Sequence, residues 1–315
     1  MRANAASGDL YRGAIIDAHH HVWDLGLGRH PWLRPGAKVA HRYGDYASIK
    51  RDYLPADFLA DVAGQNVVAT VYMEAEWEPT DPIGETEWVA RQRAATGIPG
   101  AMAAQTWLDA PDVGAVLAAQ AAYPFVRSIR HKPGGARSQD EARSGIRSLL
   151  SDPTWEAGFA LLAGHGLHFE LQTPWWNLYE AAELADRHPD TQIVINHAGV
   201  VLDHRPETLR GWRAAMAHAA ERSNMLVKAS GLCIEGAGWV PEVNREIVLD
   251  LVHFFGAGRV MFGSNFPVDA IFMGYAALIE NYRHVLCSLS QSEQRAVFCE
   301  TAARTYHPSR FEPAA

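Results

Sequence analysis

Eight short apolar runs rich in β-branched residues recur along this chain, separated by stretches with helical periodicity, and this alternation restricts the fold more than any other feature. The runs read as strands over 14–19, 67–74, 100–107, 125–131, 167–173, 191–197, 225–231 and 259–264. Helical patterns lie between them, as at 83–96, 112–122, 175–188, 207–222 and 240–255. Near-continuous apolar strands suit a parallel sheet covered by helices on its outer face. Eight consecutive βα units predict a (β/α)8 TIM barrel. Two further helical patterns follow, at 274–287 and 291–303. The first is expected to close the barrel and the second, opened by the capping box Ser290-Gln291-Ser292-Glu293, to be an extra C-terminal helix appended to it.

Length alone would allow two domains in 315 residues, but an α/β barrel uses about 250 residues as one unit. No linker, repeat or low-complexity segment interrupts the pattern, so one domain over 1–315 is expected. A net charge of −8 gives no basic surface for nucleic acid. No stretch is apolar for long enough to span a membrane, and the first eight residues lack the apolar core of a secretory signal. Cys233, Cys287 and Cys299 have neither disulfide nor zinc-finger spacing. These features point to a cytoplasmic protein with a small-molecule partner, and leave a homo-oligomer open.

The C-terminal ends of parallel barrel strands share one mouth, so the residues there are the candidate active site. Strand one contributes His19 and His21, which share a face at spacing i, i+2. Strand two contributes Glu74, strand four Arg127, Arg130 and His131, and strand five Glu170 and Gln172. Strand six contributes His197, strand seven Lys228 and Ser230, and strand eight Ser264, Asn265 and then Asp269; strand three is read as ending without a reactive group. Neutral imidazoles at 19, 21 and 197 can hold Zn²⁺ with an open position, and such a metal acidifies its bound water to a pKa of about 7. Arg130 is suited to a bidentate grip on a carboxylate, while Arg127, on the opposite strand face, reads as a structural ion-pair residue. Lys228 is read equally as an anion-binding residue and as a structural salt bridge. Residues 22–55 form a long loop at the mouth in which Trp23, His30, Trp32, His41, Arg42 and Tyr43 can form part of a substrate lid. With Trp175-Trp176, these aromatics suit a flat or ring substrate.

Four segments carry a family resemblance: Ile16-Asp17-Ala18-His19-His20-His21-Val22-Trp23-Asp24, Val126-Arg127-Ser128-Ile129-Arg130-His131, Ile193-Val194-Ile195-Asn196-His197-Ala198-Gly199, and Met261-Phe262-Gly263-Ser264-Asn265-Phe266-Pro267-Val268. In this order, over about 15–306, they resemble the amidohydrolase superfamily, in its branch of sugar-acid lactonases and 2-pyrone-4,6-dicarboxylate lactonase. The resemblance implies lactone hydrolysis at the mouth, with His19, His21 and His197 around the reacting group, and Arg130, His131 and Lys228 on a substrate carboxylate. Family members activate water with an aspartate after strand eight, some of them without a metal, and a few relatives decarboxylate or isomerise instead.

This chain departs from that pattern at Asn265, where the family has aspartate. An amide cannot take a proton from water near neutral pH and is a poorer metal ligand than a carboxylate. A replacement base is therefore expected among Asp269, His197 and Glu74, in that order. The leading reading is a lactone hydrolase, with or without a divalent metal. The alternative is a non-hydrolytic decarboxylase or lactone isomerase. A binding protein without catalysis would not need His19, His21, His197 and Glu74.

Overall fold

The computed structural model describes residues 8–311; residues 1–7, part of the stretch read for a secretory signal, lie outside them. The strands are β1 (Ile15–His20), β2 (Val67–Met73), β3 (Ala101–Gln105), β4 (Val126–Arg130), β5 (His168–Leu171), β6 (Ile193–Ile195), β7 (Met225–Ala229) and β8 (Val260–Phe262). They pair in parallel in sequential order. The ring is completed just past β8, where Asn265 N donates to His19 O and His21 N donates to Phe266 O, both at 2.7 Å. Site residues are therefore fixed by the bonds that close the (β/α)8 barrel. The Asp17 carboxylate reinforces the seam, accepting from Ser264 N at 2.9 Å, His19 N at 3.1 Å and the Tyr275 hydroxyl at 3.1 Å.

A helix follows each strand: α1 (Pro55–Asp61), α2 (Gly84–Thr96), α3 (Val113–Ala121), α4 (Pro153–Phe159), α5 (Leu178–Arg187), α6 (Pro206–Ala220), α7 (Pro241–Phe255) and α8 (Tyr275–Leu286). Their ends follow local chemistry. In α4, Pro153 occupies the first turn and the Asp152 side chain accepts from Thr154 N and Trp155 N. In α7, Pro241 and Glu242 open the helix, and Gly256, at φ 71°, ends it.

The extra C-terminal helix expected after the barrel is present, and it packs into the barrel rather than standing beside it. The capping box forms at Ser290 and Glu293, and the chain then continues through a π-helical turn, Ala296–Glu300, into a last helix, Thr301–Tyr306. Cys299, Ala302 and Tyr306 pack against Ile16, Ala18, Ala69, Ala101 and Met261, so the segment plugs the barrel interior. Ser309 N bonds to Gly100 O and Phe311 N to Val68 O, which places the plug at the strands' N-terminal ends, away from the mouth. Small strand residues leave the interior unfilled, and burial of the Tyr306 ring fills it. Among the described residues, no helix is long and apolar enough to cross a membrane.

Candidate active site

The histidine pair on β1 does not follow from plain alternation. Ile16 and Ala18 face the barrel interior, yet a register irregularity between Asp17 and His20 turns His19 and His21 inward as well. Bulges of this kind re-aim side chains beside active sites. His20 points the other way, its ring stacked on Phe58 of α1 at 4.2 Å. The His19 ring centre lies 5.2 Å from that of His21 and 4.4 Å from that of His197.

His197 ends β6 in a run of left-handed backbone, with φ of 52° at His197, 51° at Ala198, 70° at Gly199 and 51° at Val200. Such conformations cost about 1–3 kcal/mol for non-glycine residues and cluster at functional sites. Trp212 Nε1 holds the turn by donating to Ala198 O at 2.7 Å. Gly231, at φ 56°, allows the close approach that follows: a Cβ there would stand 2.6 Å from His197 Nδ1 and 2.5 Å from Arg42 Nη2.

Burial holds all three imidazoles well below the ordinary histidine range. Neighbouring groups, chiefly His197 for His19, Arg130 for His21 and Arg42 for His197, push in the same direction. The rings are neutral at pH 7. His21 Nδ1 bonds to Met73 O at 2.9 Å, so its proton sits on Nδ1 and the Nε2 lone pair is free. His197 Nδ1 bonds to Ser230 Oγ at 3.0 Å, and both ring nitrogens of His19 are buried without a partner. Neutral rings oriented through Nδ1, with orphaned nitrogens beside them, fit a divalent cation by donor chemistry. The fit is not preformed, because among the described residues no group of three or more His, Cys, Asp or Glu is arranged to hold a metal ion.

At the seam beside His19, Asn265 adopts φ 58°, a left-handed conformation that asparagine tolerates better than most residues. Its Nδ2 donates to Asp269 Oδ1 at 2.7 Å, and the Tyr43 hydroxyl donates to the same oxygen at 2.8 Å. Asp269 is 1% exposed, and burial pushes its pKa up to about 6 against the pull of Arg42 and the two hydrogen bonds. Asn265 lines the cavity and Asp269 stands behind it.

The cations are placed differently from expectation. Arg130 forms a buried ion pair with Glu74, Nε to Oε1 at 2.5 Å; its Nη2 donates to Glu74 O and its Nη1 to Gln172 Oε1 at 3.0 Å. The pairing leaves Arg130 without an uncompensated charge and engages the Glu74 carboxylate, which lines the second cavity. Lys228 Nζ stands 3.0 Å from Glu170 Oε2 with both side chains fully buried, in a salt bridge, and it does not line the cavity. Arg127 forms no ion pair among the described residues, and its Nε has no partner. His131 Nδ1 accepts from Leu108 N at 3.1 Å and Trp155 Nε1 at 2.9 Å, which puts its proton on Nε2. The third strand also ends in a polar group, Gln105, which the sequence reading passed over.

Replacing Lys228 by Met strands the Glu170 carboxylate in a fully buried site. Loss of one partner of a buried pair is expected to cost roughly 3 kcal/mol or more. Thermal unfolding checks this, with an unchanged KM in the folded fraction as the companion result.

Two cavities meet at the mouth. The first, about 340 Å³, is lined by His21, His197, Asn265, Arg42, Arg130 and Gln172, with Trp32 and Lys132 on its border. The second, about 320 Å³, shares Trp32, Arg130 and Lys132 and adds Trp77, Trp107, Gln105 and His131. The loop over 22–55 covers the first cavity with Trp32, His41, Arg42 and Tyr46. Trp23, expected at the substrate, is instead fully buried behind it, its ring 6.3 Å from His21 and its Nε1 bonded to Arg51 O; His30 and Tyr43 are buried too. Trp175 and Trp176 line a separate pocket with Gln139 and Tyr179.

The sequence model of the amidohydrolase family matches residues 16–307. The chain is 37% identical over 299 residues to the uncharacterised protein y4mH of Sinorhizobium fredii, covering 93% of this chain and 98% of that one. It is 27% identical to an L-fucono-1,5-lactonase of Burkholderia multivorans, covering 93% and 96%. An amidohydrolase of Burkholderia multivorans crystallised with bound zinc superimposes with a TM-score of 0.76 at 23% identity, covering 94% of this chain and 99% of that one.

Proposed function

For this chain, which belongs to the amidohydrolase family and is an enzyme of it, we propose hydrolysis of a small lactone or related cyclic ester of a carboxylic acid. The observation that carries this reading is a single cavity lined by neutral His21 and His197 and by an Asn265 amide that is backed by a buried carboxylate. Lactonase activity in the related Burkholderia protein supports the choice of reaction.

Each side chain has a derived task. The Ser230 hydroxyl donates to His197 Nδ1, leaving a proton on Nε2 that can bond to the lactone carbonyl oxygen as charge develops there. Asn265 lines the cavity and spends an N–H on Asp269, so its Oδ1 is the atom left to accept from the attacking water. Asp269 serves as the base once the Asn265 side chain that covers it turns aside: its pKa of about 6 leaves it ionised at neutral pH yet basic enough to take a proton in the transition state. Arg130, neutralised by Glu74, contributes its remaining N–H groups to a neutral oxygen of the ring. A divalent cation bound on His19, His21 and His197 would require the other His197 tautomer, with Nδ1–H donating to Ser230 Oγ and Nε2 unprotonated, and would polarise the carbonyl as a Lewis acid in place of that N–H.

The test is product analysis with a panel of sugar-acid lactones and pyrone carboxylates. Hydrolysis adds the mass of water and releases acid. Release of carbon dioxide, or rearrangement at constant mass, would refute the reading in favour of decarboxylation or isomerisation.

A further inference from the structure

Three cationic side chains border the first cavity, and two of them are already compensated. Arg130 pairs with Glu74, and Lys132 pairs with Glu76. Beneath the floor, Lys228 is paired with Glu170. Arg42 stands apart: it has no carboxylate within ion-pair distance among the described residues, and its Nη1 is buried without a hydrogen-bond partner. A buried guanidinium nitrogen with no acceptor is costly unless a ligand supplies one.

The rest of the side chain is held in place. Nη2 donates to Gly231 O and to the Tyr43 hydroxyl, and the guanidinium lies 4.4 Å from the centre of the Tyr43 ring. Gly231 makes room for Arg42 and His197 together. Asp269 connects to Arg42 through the Tyr43 hydroxyl, which turns its own proton toward that carboxylate and leaves Nη1 unsatisfied. The result is a preorganised positive group that lines the same cavity as His197 and Asn265.

We infer that Arg42, carried by the loop after β1, is the anchor for a carboxylate on the substrate. The substrate class is accordingly a lactone bearing an ionised carboxyl group within reach of the ester, with Arg42 as the residue that sets this preference. The identity of the reacting ester rests on the lactone reading above; the anion site itself does not.

Two measurements separate these claims. The first compares kcat/KM for one lactone acid and its methyl ester in wild type, Arg42→Gln and Arg42→Lys. One lost charge-assisted hydrogen bond corresponds to about a 10- to 100-fold effect. The preference for the acid is expected to fall by that factor in Arg42→Gln, mainly through KM, and to recover in part in Arg42→Lys. The second is calorimetric binding of a non-hydrolysable probe, cyclohexanecarboxylate against its amide, to the same folded proteins. Wild type is expected to prefer the carboxylate and Arg42→Gln to lose that preference. An acid preference that survives in Arg42→Gln, or equal losses on acid and ester, overturns the inference. Arg42-dependent carboxylate binding without turnover of either lactone overturns the lactone reading and leaves the anion site standing.

Discussion

Asp269→Asn is expected to lower kcat/KM by about 100-fold or more, within the range of general-base contributions, and to abolish the acidic limb of the pH profile. The sign follows from the carboxyl's environment. Burial raises its pKa to about 6, above that of an ordinary aspartate, so the active, ionised form fills as pH rises through 6 and empties below it. Wild-type activity should therefore fall tenfold per pH unit on the acid side of that value. An amide at 269 cannot ionise, and the residual rate should lose this dependence. Asn265→Ala should cost less, because it removes the holder of the water and keeps the base. If Asp269→Asn retains full activity and an unchanged acidic limb, the base is an imidazole, with His197 first.

His19→Ala, His21→Ala and His197→Ala are each expected to reduce turnover by about 10²- to 10⁴-fold while the protein stays folded. His21 and His197 line the cavity and His19 packs against both, while the barrel is held by strand pairing and by the packed interior. His19 shows the conflict most clearly. It is fully buried and neither ring nitrogen has a partner, so truncation removes about 1–3 kcal/mol of desolvation cost that offsets part of the cavity it leaves. Circular dichroism and thermal melting check the fold, and kcat/KM checks the chemistry. Metal content per chain, measured on protein purified without chelators or a His tag, adds a readout independent of activity. A cation held by the cluster should be lost from all three variants together. Unfolding of the single mutants would make these histidines structural.

What the sequence determined by itself was whatever depends on neighbours a few residues apart. The eight strands, most of the helices and the capping box at Ser290 are legible in periodicity and local hydrogen-bonding chemistry, because side chains on one face recur every two or about 3.6 residues. Once parallel strands are recognised, their ends must share a mouth, and this places His21, Arg130, Gln172, His197 and Asn265 along one cavity. Tertiary structure alone decided which of these groups keep their charge. Arg130 meets Glu74 across 56 positions of sequence, and Arg42 reaches Gly231 across 189. No local pattern encodes such pairings, and each one sets whether a cation is spent on the protein or left for a ligand. The same limit hid the irregularity that turns His19 inward and the barrel plug at Tyr306. Both depend on how much space the assembled strands leave, a quantity that exists only after the barrel has closed.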